Sequence, residues 1–101
     1  MAVMKTEMAE GLLARVPEQY CFFCNDSRVL TDMSDLAEGL TGMTDDTYAY
    51  HSTDGRSDFS SWVRDIIGDD KLASDLLKAT SRQQAAKQVE KRLTFLTGKL
   101  V

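Results

Sequence analysis

The sequence is poor in the residues that build disulfide frameworks, metal sites and kinks. It has two cysteines, one histidine and one proline in 101 residues. Two cysteines cannot form the framework of a disulfide-rich secreted domain, and no apolar run approaches the roughly 20 residues of a membrane span. The first residues also lack the charged and then apolar order of a signal peptide. We therefore expect a cytoplasmic protein with no membrane partner.

The length and composition favour one folded domain over residues 1–101. Apolar residues make up 43% and charged residues 28%, with six glycines. This is the mixture of a globular protein with a core, and about 100 residues typically form a single core. The length excludes a two-domain enzyme with an active site between its domains.

Charge is distributed unevenly along the chain. Residues 1–70 carry 5 Lys/Arg and 14 Asp/Glu, a net charge of −9, whereas residues 71–101 carry 7 and 2, a net charge of +5. An acidic body disfavours non-specific binding of nucleic acid by the whole domain, because attraction to phosphates grows with the number of aligned cations. Only the basic C-terminal segment keeps a nucleic-acid module as an alternative.

Apolar spacing predicts an N-terminal helix, a hairpin and two further helices. Met4, Met8 and Leu12 share a helical face, with Ala9 and Leu13 beside it, and Pro17 follows the helix. Two short apolar runs around a turn at residues 25–27 predict an antiparallel β-hairpin near residues 20–30. Asp32 is placed to start a helix over about 33–41, and Thr44 to start a short one that carries Tyr48 and Tyr50 and ends at His51.

Three more helices follow. Ser57 starts a helix that Gly68 ends, Asp69 starts the next, and Ser81 with Gln84 forms a capping box for a basic amphipathic helix over about 82–97. Their apolar positions are Phe59, Trp62, Val63, Ile66 and Ile67, then Leu72, Ala73, Leu76 and Leu77, then Ala85, Val89, Leu93, Leu96 and Leu100. Ser60 and Ser61 are expected on the opposite, polar side of their helix. The fold class is therefore mainly α, with about six helices and one small hairpin.

Cys21, Cys24 and His51 are the candidate metal or redox residues. On a strand, residues three apart point to opposite faces, and structural zinc requires four ligands. We therefore expect no metal and no cofactor, with at least one cysteine buried. We also expect no catalytic role for His51, which is placed to hold a loop by hydrogen bonds.

The last helix carries the candidate partner-binding residues. Lys87 and Lys91 lie one turn apart, Arg92 lies nearer the apolar stripe, and Lys99 follows the helix. Phe95 falls off the apolar stripe on the side of Lys91, which favours a protein partner or a weak dimer contact over phosphate binding. Nucleic-acid binding through the four basic residues is the alternative function.

The most specific motif is Asp58-Phe59-x-x-Trp62, which continues to Gly68-Asp69. With Tyr50-His51, this motif resembles an uncharacterised family of small prokaryotic domains of unknown function, found alone and attached to other domains. The resemblance covers about residues 12–79, although Cys21 stands where the family usually has an aromatic or aliphatic residue. It implies a non-enzymatic accessory or interaction role and assigns no activity.

Overall fold

Except for the first helix, which follows Lys5 without a side-chain cap, the helices begin where the sequence supplies a side chain that accepts a hydrogen bond from the first helical turn. In the computed structural model, which describes residues 5–53 and 55–100, Asp32, Thr44, Ser57, Asp69 and Ser81 each accept one from the backbone N–H three residues later. This satisfies a donor that has no partner within its helix. The helices are α1 (Thr6–Leu13), α2 (Met33–Gly42), α3 (Asp45–His51), α4 (Asp58–Trp62), α5 (Asp70–Lys78) and α6 (Arg82–Thr97). The prediction of a mainly α fold is confirmed.

The predicted hairpin is present but short. Strands β1 (Phe22–Phe23) and β2 (Val29–Leu30) pair antiparallel, with Phe22 opposite Leu30 and Phe23 opposite Val29. Tyr20 was expected in the strand and instead ends a 3₁₀ turn over Glu18–Tyr20. Ser27 completes the hairpin turn at φ 76°.

A second hairpin was not predicted. Strands β3 (Ser52–Thr53) and β4 (Arg56–Ser57) pair antiparallel between α3 and α4. Gly55 at φ 75° supplies the turn conformation that a glycine adopts without steric cost. The four strand residues are polar, so no apolar alternation marks them in the sequence.

Helix α1 buries most of the expected apolar face. Ala9 is fully buried, and Leu12 and Leu13 pack against the core, whereas Met8 departs from the prediction and is 56% exposed. Met4 lies outside the described residues. After α1 the chain becomes extended at Ala14, and Val16 donates its N–H to Thr31 O at 2.8 Å, which ties this segment to the residue after β2.

Helix α4 continues into a π-helical turn over Val63–Ile67. Gly68 ends this turn at φ 91°, and its N–H reaches Val63 O at 2.8 Å. Ser60 is 4% exposed and donates its hydroxyl to Ala73 O at 2.6 Å, so the expectation that it lies on a polar outer side is wrong. Because α5 crosses α4 here, a small side chain that hydrogen-bonds the neighbouring backbone fits the contact.

The core forms where α6 packs along α2, with α1 and α5 beside α6. Its largest fully buried side chains are Phe59, Met33, Leu36, Leu40, Leu72, Leu96, Val63 and Val89. Two positions expected on apolar faces are exposed: Leu77 at 49%, and Leu100 at 43% in a 3₁₀ turn over Gly98–Leu100. Within residues 5–53 and 55–100, no helix is both long enough and apolar enough to cross a membrane.

Candidate functional site

The two cysteines have different environments at the base of the first hairpin. Cys24 is buried, and its N–H bonds to Arg28 O at 2.9 Å across the turn. Burial raises the pKa of the Cys24 thiol to about 11, with the Asp26 carboxylate adding to this effect and Arg28 opposing it. Cys21 is partly exposed, with its Sγ 3.7 Å from Pro17 O. A thiol with a raised pKa is a weak nucleophile and a weak metal ligand near neutral pH.

His51 joins the first hairpin to the start of α4. Its Nε2 accepts the N–H of Asn25 at 2.9 Å, and its Nδ1 lies 3.2 Å from Asp58 Oδ2. The ring is 7% exposed and packs edge-on against the rings of Phe22 and Phe59. Both ring nitrogens are therefore occupied, Nε2 by the hairpin turn and Nδ1 by the first residue of α4. Among the described residues, no three His, Cys, Asp or Glu side chains lie close enough together to hold a metal ion.

The family-like motif forms part of the core. Phe59 is 1% and Trp62 7% exposed, so both aromatic side chains of the motif lie in the core. Trp62 Nε1 donates to Tyr20 O at 2.8 Å, and its ring meets Phe22 in an edge-to-face contact with centroids 5.9 Å apart. Asp58 pairs with His51 and, through its other oxygen, with Arg56 at 3.1 Å. The motif thus joins the hairpin, α3 and α4.

Arg92, a candidate partner-binding residue placed nearer the apolar stripe, lies mostly inside the protein. Its side chain is 12% exposed and holds Asp69, which is 1% exposed, by two hydrogen bonds of 2.7 and 3.1 Å. Asp69 also accepts the N–H of Leu72 as the N-cap residue immediately before α5. The pair therefore fixes α6 against the beginning of α5, because two buried charges must satisfy each other.

Arg82 has a similar role that was not predicted. It donates to the carbonyl oxygens of Leu40 and Thr41 at 2.9 and 3.1 Å, and it pairs with Asp45 at 2.8 Å. It thereby satisfies carbonyls at the end of α2 and holds the beginning of α3. Arg82 lies on the same helical face as the apolar residues of α6, and this position could have indicated its role. A cation that points into the protein needs buried acceptors.

The remaining candidates form a line on the outside of α6. Lys87, Lys91 and Phe95 follow one another at four-residue intervals, and Lys99 continues the line in the 3₁₀ turn. We call these four residues the α6 stripe. Phe95 is 45% exposed, with the Arg92 guanidinium 5.2 Å and the Lys99 ammonium 5.0 Å from its ring centroid. A large aromatic ring beside cations is thus half open to solvent.

Two shallow hollows flank the α6 stripe. One holds about 290 Å³ between α5 and α6, and its lining residues are Lys71, Asp75, Gln88, Lys91, Arg92 and Phe95. The other holds about 410 Å³ on the far side and is lined by Lys87, Glu90, Lys91, Thr94 and Phe95. Lys91 and Phe95 line both hollows, so they form the ridge between them. A partner segment lying on either side would contact this ridge.

Of the candidate residues, Phe95, Lys87 and Lys91 are exposed on one surface, whereas Cys24 and His51 are buried in the hairpin region. The structure does not bring the two groups together into one site. Comparisons of the chain with protein-family models, with curated proteins and with solved structures find no match.

Proposed function

We propose that this chain is a non-enzymatic protein-interaction module and that the α6 stripe is its docking surface. The observation that carries the proposal is the half-exposed ring of Phe95 on the ridge between two hollows. The module acts in the cytoplasm as a monomer or weak dimer. The resemblance to a family that attaches to other domains supports the same accessory role.

Phe95 has the features of an interface anchor. An aromatic ring that is half exposed on a helix loses unfavourable contact with water when a partner covers it, and large aromatic and arginine side chains dominate binding energies at protein interfaces. The ring is also held in place by Arg92, which the buried Asp69 fixes. An anchor that is already ordered loses little side-chain entropy on binding.

The α6 surface suits nucleic acid less well than it suits protein. Arg92 is occupied by Asp69, which leaves the three lysines of the stripe, and Glu90 lines the same hollow as Lys87 and Lys91. Nucleic-acid affinity depends on several cations that neutralise phosphates together, and the body of this chain carries a charge of −9. An aromatic ring among a few lysines favours a protein surface.

The experiment compares Phe95→Ser with a matched control, Phe23→Ser, in retention of proteins from the native cell. Phe23 is 65% exposed on β1, away from α6, so both changes remove an exposed phenylalanine. We expect the wild type and Phe23→Ser to retain the same proteins. Phe95→Ser should retain at least about tenfold less of them. Equal retention by Phe95→Ser, or no retention by the wild type above bare beads, would contradict the proposal.

A further inference from the structure

We infer that the partner presents an acidic segment with a large apolar side chain to the α6 stripe. The inference rests on the proposed docking function and adds the chemistry of the partner. It depends on which cations of the surface are already neutralised, on how the remaining ones are spaced and on where the apolar ring lies among them.

Most arginines among the described residues already form an ion pair with a carboxylate. Arg28, Arg56, Arg64, Arg82 and Arg92 each pair with an aspartate at 3.1 Å or less, and Lys71 pairs with Asp75 at 2.8 Å. Lys87 and Lys91 differ, because no carboxylate of residues 5–53 and 55–100 lies within 4.0 Å of either ammonium. The α5–α6 hollow is thus neutral at Lys71–Asp75 and at Arg92–Asp69, and positive at Lys91.

The spacing of the stripe defines what a partner must supply. Successive members four residues apart rise about 6 Å along a helix, so Lys87, Lys91 and Phe95 span about 12 Å. Two carboxylates at a similar spacing meet the two ammonium groups, and an apolar side chain beyond them enters the hollow beside Phe95. Glutamates one helical turn apart, with a leucine, methionine or aromatic residue a further turn on, provide this arrangement.

Charge at the ends of the stripe favours the same partner. The Lys99 ammonium lies 5.0 Å from the centroid of the Phe95 ring, so a carboxylate next to the apolar anchor has a further cation to approach. Residues 71–101 carry a net charge of +5, which favours a short acidic segment in contact with the stripe over a basic one. Lysine side chains also cover apolar surface with their methylene stems, which lets one stripe bind both parts of such a segment.

The test selects random 14-residue peptides displayed on phage against the immobilised protein. The informative variant is Lys87→Glu/Lys91→Glu, and the matched control is Lys5→Glu/Lys78→Glu, which changes the net charge equally at exposed positions outside the stripe. We expect the wild type and the control to enrich acidic peptides that contain a large apolar residue. We expect the stripe variant to enrich basic peptides instead.

The best enriched acidic peptide, labelled with fluorescein, then provides affinities. We expect binding to weaken at least about tenfold in the stripe variant and in Phe95→Ser, and about threefold or more as NaCl rises from about 50 to about 500 mM. Enrichment without acidic bias, no enrichment, equal binding by the stripe variant, or tighter binding of a single-stranded 14-mer DNA than of the peptide would overturn the inference. Equal melting temperatures of the variants confirm that they are folded.

Competition separates this inference from the proposed function. If native proteins are lost from Phe95→Ser but the acidic peptide does not displace them from the wild type, the docking function stands and the acidic partner is wrong. If Phe95→Ser retains every native protein, the docking function itself fails, whatever the peptide does.

Discussion

Arg92 of α6 binds both carboxylate oxygens of Asp69, the residue that also starts α5, at 2.7 and 3.1 Å. Asp69 thus has two roles, as the N-cap of α5 and as the acidic partner in an ion pair between α5 and α6. Its side chain is 1% exposed. The pair sets how α6 lies against α5, and with it the position of Phe95, whose ring the same guanidinium approaches. A stabilising contact in the interior therefore orders the proposed docking surface.

Replacing Arg92 with methionine should destabilise the protein by about 3 kcal/mol, because it leaves the Asp69 carboxylate buried without its partner. The matched control Lys87→Met, at an exposed position of the same helix, should change the free energy of unfolding by less than about 0.5 kcal/mol. Urea denaturation measures both. The double variant Arg92→Met/Asp69→Asn should lose less than the two single losses together. Similar small effects of Arg92→Met and Lys87→Met would contradict the role of the pair.

Helix starts were predictable because the signal is local. Asp32, Thr44, Ser57 and Ser81 each bond to an N–H three residues away, so the pattern is visible in four consecutive letters. Gln84 departs from the expected capping box, since its side-chain oxygen accepts from Thr80 N and not from the Ser81 N–H. The second hairpin was missed because its strands have two polar residues each, and only backbone pairing defines them.

Long-range roles of polar residues were not predictable. Arg92 and Asp69 are 23 positions apart. In the sequence, Arg92 is sufficiently explained as a surface charge and Asp69 as a helix cap, so neither residue indicates that it needs the other. Ser60 likewise has a polar side chain at a position that only the crossing of α5 makes interior. Exposure of Phe95, by contrast, followed from its place off the apolar stripe, because the helical period alone decides which face it occupies.

The two cysteines should react at different rates. The pKa of Cys24 is raised to about 11 by burial, so about 0.1% of this thiol is thiolate at pH 8. Cys21 is partly exposed. We expect iodoacetamide at about pH 8 to modify Cys21 first and Cys24 at least about a hundredfold more slowly, as mapped by mass spectrometry of the digested protein. In denaturant the two rates should become similar; equal rates in the folded protein would show that Cys24 is accessible.

Protonation of Asp35 should lower the stability of the folded protein at acid pH. Hydrogen bonds from the Thr31 hydroxyl, and then from the Thr31 backbone N–H, hold the pKa of the Asp35 carboxyl below its usual value against the opposing effect of burial. A carboxyl with a lowered pKa stabilises the folded state above the unfolded-chain pKa of about 4, and this contribution is lost as pH falls through the folded value. The melting temperature of the wild type should therefore exceed that of Asp35→Asn at pH 6, and the difference should shrink toward pH 3. A difference independent of pH would contradict this.

His51 should hold the turn of the first hairpin through its Nε2. This nitrogen accepts the Asn25 N–H, and a phenylalanine ring at the same position offers no acceptor. His51→Phe should therefore accelerate hydrogen exchange of the Asn25 amide at constant pH, as followed by NMR. The Cys24 amide, which bonds to Arg28 O in the same turn, is the control and should stay protected. Unchanged exchange of the Asn25 amide in His51→Phe would show that this bond does not hold the turn.

Trp62 should act as a core residue that connects α4 to the beginning of the hairpin. It is 7% exposed, its Nε1 donates to Tyr20 O at 2.8 Å, and its ring meets Phe22. Trp62→Ala leaves a cavity and should cost about 3 to 5 kcal/mol, whereas Trp62→Phe keeps most of the ring and should cost less, mainly through the unpaired Tyr20 carbonyl. Because Trp62 is the only tryptophan, its emission reports this site directly and should be blue-shifted and resistant to quenchers. Water-like emission, together with an unchanged melting temperature of Trp62→Ala, would instead make this helix a second exposed surface.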